Sequence, residues 1–137
     1  MTKPVESSFQ IDNYTITKSL FEIKKEDHLS IKYSLNLSKQ IKDTRCEKNI
    51  CFGKVELKIS IDGRAGRRIL HKVRVDITGE FRGKNISKDD FEKFCKMNGV
   101  ANLLLIARAY VSSTTSQMGI NPIVIPLVNL LSTKWTN

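Results

Sequence analysis

Long apolar runs are missing from this 137-residue sequence: its strongest stretch, residues 103–107, is far below the ~18 residues that a membrane-crossing helix needs. No membrane insertion is expected. Cysteines are few. Cys46, Cys51 and Cys95 cannot all pair within one chain, and no charged-then-apolar leader stands at the amino terminus, so the expectation is a cytoplasmic protein with reduced thiols. Acidic residues are in short supply, 14 Asp and Glu against 23 Lys and Arg. The resulting formal charge of +9 favours acidic partners without choosing among nucleic acid, anionic lipid and acidic polypeptide. No glycine-rich loop follows a strand and opens a helix in the form that cradles phosphate. His28 stands in a charged turn and His71 in a strand-like run, neither at a spacing that couples it to a nucleophile. Cys46 and Cys51 are separated by four intervening residues, with no second pair to complete a zinc or redox motif. Together these absences argue against an enzyme, a metal site and a cofactor.

What is present is ordinary for one soluble domain, 1–137, with 40% hydrophobic and 27% charged residues. The first two-thirds alternate apolar and polar positions, as strands do when one face meets a core and the other meets water. Leu29, Ile31, Tyr33, Leu35 and Leu37 make one set, and Val55, Leu57, Ile59 and Ile61 a second. A third runs from Ile69 through His71, Val73, Val75 and Ile77 to Phe81. Residues 62–66 supply a turn between the last two. Near the amino terminus Phe9, Ile11, Tyr14, Ile16, Leu20, Phe21 and Ile23 hold no single phase, which predicts a strand with a bulge. Four strands in an antiparallel meander follow, with the hydrophilic residues 39–49 as an exposed connection.

The period then changes. Ser87 can cap a short helix whose apolar face is Phe91, Phe94 and Cys95, and Asn98-Gly99 should stop it. A longer helix is expected over 100–118, ended by Gly119 and Pro122, with Val100, Leu103, Leu104, Ala107, Val111, Thr114 and Met118 as its main stripe. Its other side is apolar or small too: Leu105, Ile106, Ala109, Ser112, Ser113 and Ser116. A single four-stranded sheet covers one side only, so the second predicts an oligomer interface, in a homodimer or a dimer of dimers. The fold expected is α+β: a four-stranded antiparallel sheet with a short and a long helix packed on one face.

This order of elements, closed by a proline-punctuated apolar segment, resembles the SecB family of protein-export chaperones. Residues 91–99 are similar to the family's short helix and 102–108 to the start of its long one. Gly119, Pro122, Pro126, Val128 and Asn129 are similar to its Gly-x-x-Pro and following Pro-Val-Asn stretch. The resemblance implies an ATP-independent holdase that binds unfolded or nascent polypeptides in apolar grooves, for export or for a dedicated client such as an antitoxin. The strand and segment similar to the family's client surface contribute Phe21, Ile23, Ile120, Ile123, Val124, Ile125, Leu127 and Leu130.

Several features depart from the family, the charge of the outward sheet face among them. That face is acidic in the family and engages the SecA motor, whereas here Lys32, Lys54, Lys58, Lys72 and Arg74 outnumber Glu56 and Asp76, which argues against SecA docking. Such a face would instead steer acidic clients. The alternative reading is a small basic nucleic-acid-binding module that uses Arg64, Arg67, Arg68 and the sheet lysines. Few aromatics remain outside the expected core to stack on bases.

Overall fold

Alternating residues build a four-stranded antiparallel sheet in the computed structural model, which describes residues 8–24, 30–126 and 135. The strands are β1 (Phe9–Ile23), β2 (Lys32–Glu47), β3 (Ile50–Ala65) and β4 (Arg68–Lys84). Their order is β1-β4-β3-β2, which corrects the simple meander. Turn chemistry explains the difference. The β2–β3 turn is Lys48-Asn49, with both residues at positive φ, and the β3–β4 turn begins with Gly66 at φ 62. Turns this tight force their flanking strands to pair. The longer β1–β2 connection forces nothing, and β1 crosses over to lie beside β4 in a Greek-key arrangement. Three strand spacings, ~14 Å in all, lie well within its reach.

The hydrophilic stretch 39–49 is also corrected. It is not a loop but the second half of β2 and its turn. Lys39 occupies the core-facing row between Leu37 and Ile41, opposite Leu57, and the register then shifts between Lys42 and Arg45, where Asp43 has φ 55. In β1 the expected irregularities occur between Ile11 and Asn13 and between Ile16 and Lys18.

Helices cover one face of the sheet. Ser87 Oγ accepts the amide of Asp90 at 3.1 Å and starts α1 (Lys88–Phe94). A π-helical turn (Cys95–Gly99) carries the chain directly into α2 (Val100–Gln117), so Lys88–Gln117 is one continuous 30-residue helix rather than a short and a long one. Asn98-Gly99 does not stop the helix, because Gly99 serves a different purpose. It keeps helical φ and ψ, and a Cβ there would lie 3.3 Å from Val55 and 3.4 Å from Phe81. Its missing side chain brings the helix down onto the sheet.

The buried cluster joins Val55, Leu57, Ile59 and Ile61 of β3 and Val73, Val75, Ile77 and Phe81 of β4 to Phe91, Val100, Leu103, Ala107 and Val111 of the helix. Gly79 gives the sheet side of this contact. A Cβ there would come within 2.8 Å of both Leu103 and Phe81. Gly79→Ala is therefore expected to destabilise the fold by about 1–3 kcal/mol through overpacking, read as a lower urea midpoint.

Candidate functional site

Away from α1, the core-facing side of the sheet ends in a row that crosses all four strands: Ile23, His71, Gly63 and Tyr33. The Tyr33 ring lies over Gly63, where a Cβ would be 2.7 Å from its Cε1. The Tyr33 hydroxyl is 2.7 Å from Nδ1 of His71. His71 is only 5% exposed, and burial pushes its imidazole below the usual value, as suits a structural histidine. Tyr33 itself is about half exposed. The next row inward is Phe21, Val73, Ile61 and Leu35. The Phe21 ring meets Tyr110 of α2 edge-on at 5.9 Å, and the Tyr110 hydroxyl lies 2.7 Å from Ser19 Oγ, which pins α2 to the edge strand β1.

Beyond α2 the chain reverses at Gly119, which has φ 87. Thr115 fixes the return: its Oγ1 donates to the Val111 carbonyl at 2.8 Å and accepts the amide of Ile123 at 2.9 Å. Thr115 is fully buried, so the buried stripe of α2 closes on Thr115 rather than on Thr114 and Met118. The segment then alternates. Ile123 and Ile125 enter the core, at 4% and 1% exposure, while Val124 between them is 54% exposed.

The residues expected to bind clients therefore separate into four groups. Ile123 and Ile125 are closed inside this subunit, and Phe21, Ile23 and Ile120 are half-buried. Val124 faces outward, and Leu127 and Leu130 lie outside the described residues.

Leu105, Ala109, Ser113 and Ser116 form an exposed stripe along α2, flanked by the half-buried Ile106 and Ser112. Leu105 stands out at 58% exposure. Nothing within the subunit covers this side among the described residues.

The opposite face of the sheet is charged but not uniformly basic. Lys54, Lys58 and Lys72 lie on it in register with Glu80, Asp76 and Asp62, and Arg74 lies on it opposite Ser60. Arg74 reaches Asp62 at 2.9 Å, Lys58 reaches Glu56 at 3.6 Å and Lys54 reaches Glu80 at 3.9 Å. A hydrogen bond from Lys42 holds the Glu56 carboxyl below the ordinary value. Asp62, which reads as a turn residue in the sequence, belongs to β3 and also pairs with Arg64 at 3.6 Å. These interleaved acids weaken the expected steering field. A cavity of about 600 Å³ lined by Asp12, Asp43, Arg45, Phe52, Lys54 and Glu80 is likewise too charged to suit an apolar segment.

The expectation of reduced thiols is corrected as well. Once β2 extends to Glu47, Cys46 stands directly opposite Cys51, and the two form a disulfide across the hairpin. Cys95 stays free and buried, its thiol pushed up to about 12 by burial and then by Glu92, so it is not a nucleophile. Among the described residues no group of three or more His, Cys, Asp or Glu side chains could hold a metal ion, and no helix is long and apolar enough to cross a membrane.

One contact has no counterpart in the sequence pattern. Trp135 returns to pack against the buried cluster, with Lys39 Nζ 4.1 Å from its ring centroid. No periodicity marks Trp135, and Lys39 becomes significant only once β2 is known to continue through it.

No family model and no curated protein matches the chain. Among solved structures, it is similar to a Mycobacterium tuberculosis SecB-like chaperone in complex with a ChAD peptide from the HigA1 antitoxin. The match has a TM-score of 0.69 at 11% identity and covers 88% of this chain and 91% of that one. At this identity the likeness is one of fold.

Proposed function

We propose that this protein is a non-enzymatic, ATP-independent holdase that captures unfolded or nascent polypeptides, either for export or for a dedicated client such as an antitoxin. The observation that carries this reading is apolar surface left open: Phe21, Ile23, Ile120 and Tyr33 are incompletely buried and Val124 is exposed. A small domain that leaves such side chains open has apolar surface to offer an extended segment, worth ~25 cal/mol per Å² buried before ordering costs. The fold shared with the mycobacterial chaperone, which is solved with an antitoxin peptide, supports the same reading.

The α2 stripe of Leu105, Ile106, Ala109, Ser112, Ser113 and Ser116 is the proposed contact between subunits in a homodimer or homotetramer. Its small side chains would let two helices approach closely. The paired charges of the outer face give no support to a SecA-docking role.

Aggregation of a chemically unfolded client at equimolar subunits tests the proposal. Suppression is expected without ATP, and it should hold or strengthen in sulfate, because apolar burial is reinforced there while phosphate contacts are screened. No suppression for any of several clients would remove the holdase reading. Binding of nucleic acid that collapses with added salt would favour a basic nucleic-acid module instead.

A further inference from the structure

Lys39 is an anomaly in its own strand. It sits in the core-facing row of β2 between Leu37 and Ile41, opposite the fully buried Leu57. An inward charge on an edge strand can serve to discourage edge-to-edge pairing, and β2 is an edge. Here, however, the ammonium lies over an aromatic ring, 4.1 Å from the centroid of Trp135. Burial, and then the neighbouring Lys96, push the Lys39 ammonium below the usual lysine value. Neither lysine has a carboxylate within ion-pair distance among the described residues. The seat thus offers an apolar floor, a cation positioned for a ring face, and beside it a second lysine that, like Lys39, has no carboxylate at ion-pair distance among the described residues.

We infer that the seat of Trp135 beside Lys39 is an anchor site for an aromatic side chain of a polypeptide client, one with a neighbouring carboxylate, and that Trp135 is its intramolecular competitor. The inference rests on the holdase reading and names the client chemistry that reading leaves open. Ring recognition by a cation depends on the ring face, which Phe, Tyr and Trp all present, so a client aromatic can replace Trp135 without other rearrangement at Lys39. The carboxylate is the complement of Lys39 and Lys96, neither of which has an ion-pair partner among the described residues. A single half-exposed cation–π contact holds a side chain only weakly, which is what a displaceable plug requires.

Trp135 is the sole tryptophan of the chain, so its fluorescence reports its own displacement in the full-length, unmodified protein. The probes are three synthetic peptides that differ at one dipeptide in an apolar leucine context: Phe-Asp, Ala-Asp and Phe-Asn. The Phe-Asp peptide should shift emission to the red and increase acrylamide quenching, and the Ala-Asp peptide should do neither. Trp135→Ala should bind Phe-Asp about two- to five-fold more tightly, the range of one such contact. Lys39→Met, which keeps the length and packing of the stem, should lose the preference for Phe-Asp over Phe-Asn.

Binding of Phe-Asp with unchanged emission would overturn the proposal, as would equal affinity in Trp135→Ala. Lys39 would then be an edge-protecting charge and Trp135 a packed tail residue. If none of the peptides binds while aggregation is still suppressed, the anchor site is wrong and the holdase reading survives. If suppression fails too, both fall together. The emission measurement needs no variant, so a misfolded substitution cannot shield the proposal.

Discussion

Replacing Phe91 with alanine is expected to lower the stability of the subunit by about 3–5 kcal/mol, at the upper end for a core truncation. Phe91 is fully buried, and it lies against the strand backbone at Gly53 and Gly83 as well as against Phe9. A Cβ on Gly83 would be 2.8 Å from its Cδ1, and one on Gly53 would be 3.0 Å from its Cε2. Phe9 is beside it, with ring centroids 5.7 Å apart. A cavity shrinks when neighbouring side chains relax into it, but sheet backbone fixed by β2–β3 and β3–β4 pairing has little freedom to do so. The void should therefore persist. Urea denaturation should show a lower midpoint with an unchanged slope, since the folded and unfolded surfaces differ little from those of the parent. A loss below about 1 kcal/mol would mean that the amino-terminal half of the helix is not anchored through Phe91.

The parts of this fold that were legible in the sequence are those fixed locally. Val55 to Ile61 and Val73 to Phe81 alternate cleanly because both strands turn one face to the helix. Ser87 and Gly119 act through their own backbone neighbours, so cap and stop could be read directly. Strand order could not, because it depends on which connections are tight, and Lys48-Asn49 does not look like the common Asn-Gly hairpin turn. The end of β2 was hidden for a related reason: Lys39 interrupts the apolar row and Asp43 adds an irregularity, so the period disappears where the strand continues. Reading that stretch as a loop also concealed the pairing of Cys46 with Cys51. At Asn98-Gly99 a tertiary demand overrides a local signal, since the glycine makes room for Val55 and Phe81 rather than ending a helix.

For the candidate site, composition identified the apolar segment after α2 but not which of its residues are open. Alternation through Ile123, Val124 and Ile125 gives two opposite assignments, and the choice rests on one hydrogen bond, from the Ile123 amide to Thr115 Oγ1. That bond needs Thr115 rather than Thr114 to face inward, a rotation of one residue around α2 that the apolar stripe alone does not resolve. Phe21 and Ile23 could not be assigned a face from the period, because the register of β1 shifts twice before it becomes regular at their end of the strand. The charges of the outer face were misjudged because a tally by strand misses cross-strand pairs. Asp62 and Glu80 sit beside Arg74 and Lys54 only in the assembled sheet.

The second large effect is expected from Ala109→Arg. Ala109 is exposed in the isolated subunit, one turn beyond Leu105 and one turn before Ser113 on the outer stripe of α2. A long cation there can extend into water, so the fold of the single subunit should change by no more than about 0.5 kcal/mol. In two α2 helices packed through these small residues, the same guanidinium would be taken out of water without a partner, at a cost of about 3–5 kcal/mol. Each 1.4 kcal/mol is tenfold, so the dissociation constant should rise by roughly two to three and a half orders of magnitude. Light scattering at micromolar concentration should then report a dimer or tetramer for the parent and a smaller species for the variant, with the same far-ultraviolet circular dichroism. Ala109→Ser keeps the volume small and adds no charge, so it should assemble like the parent. That pair of variants separates lost assembly from lost folding. A parent that is monomeric under these conditions would mean that Leu105 and its neighbours face solvent, and the stripe would then become additional surface for client segments rather than a subunit contact.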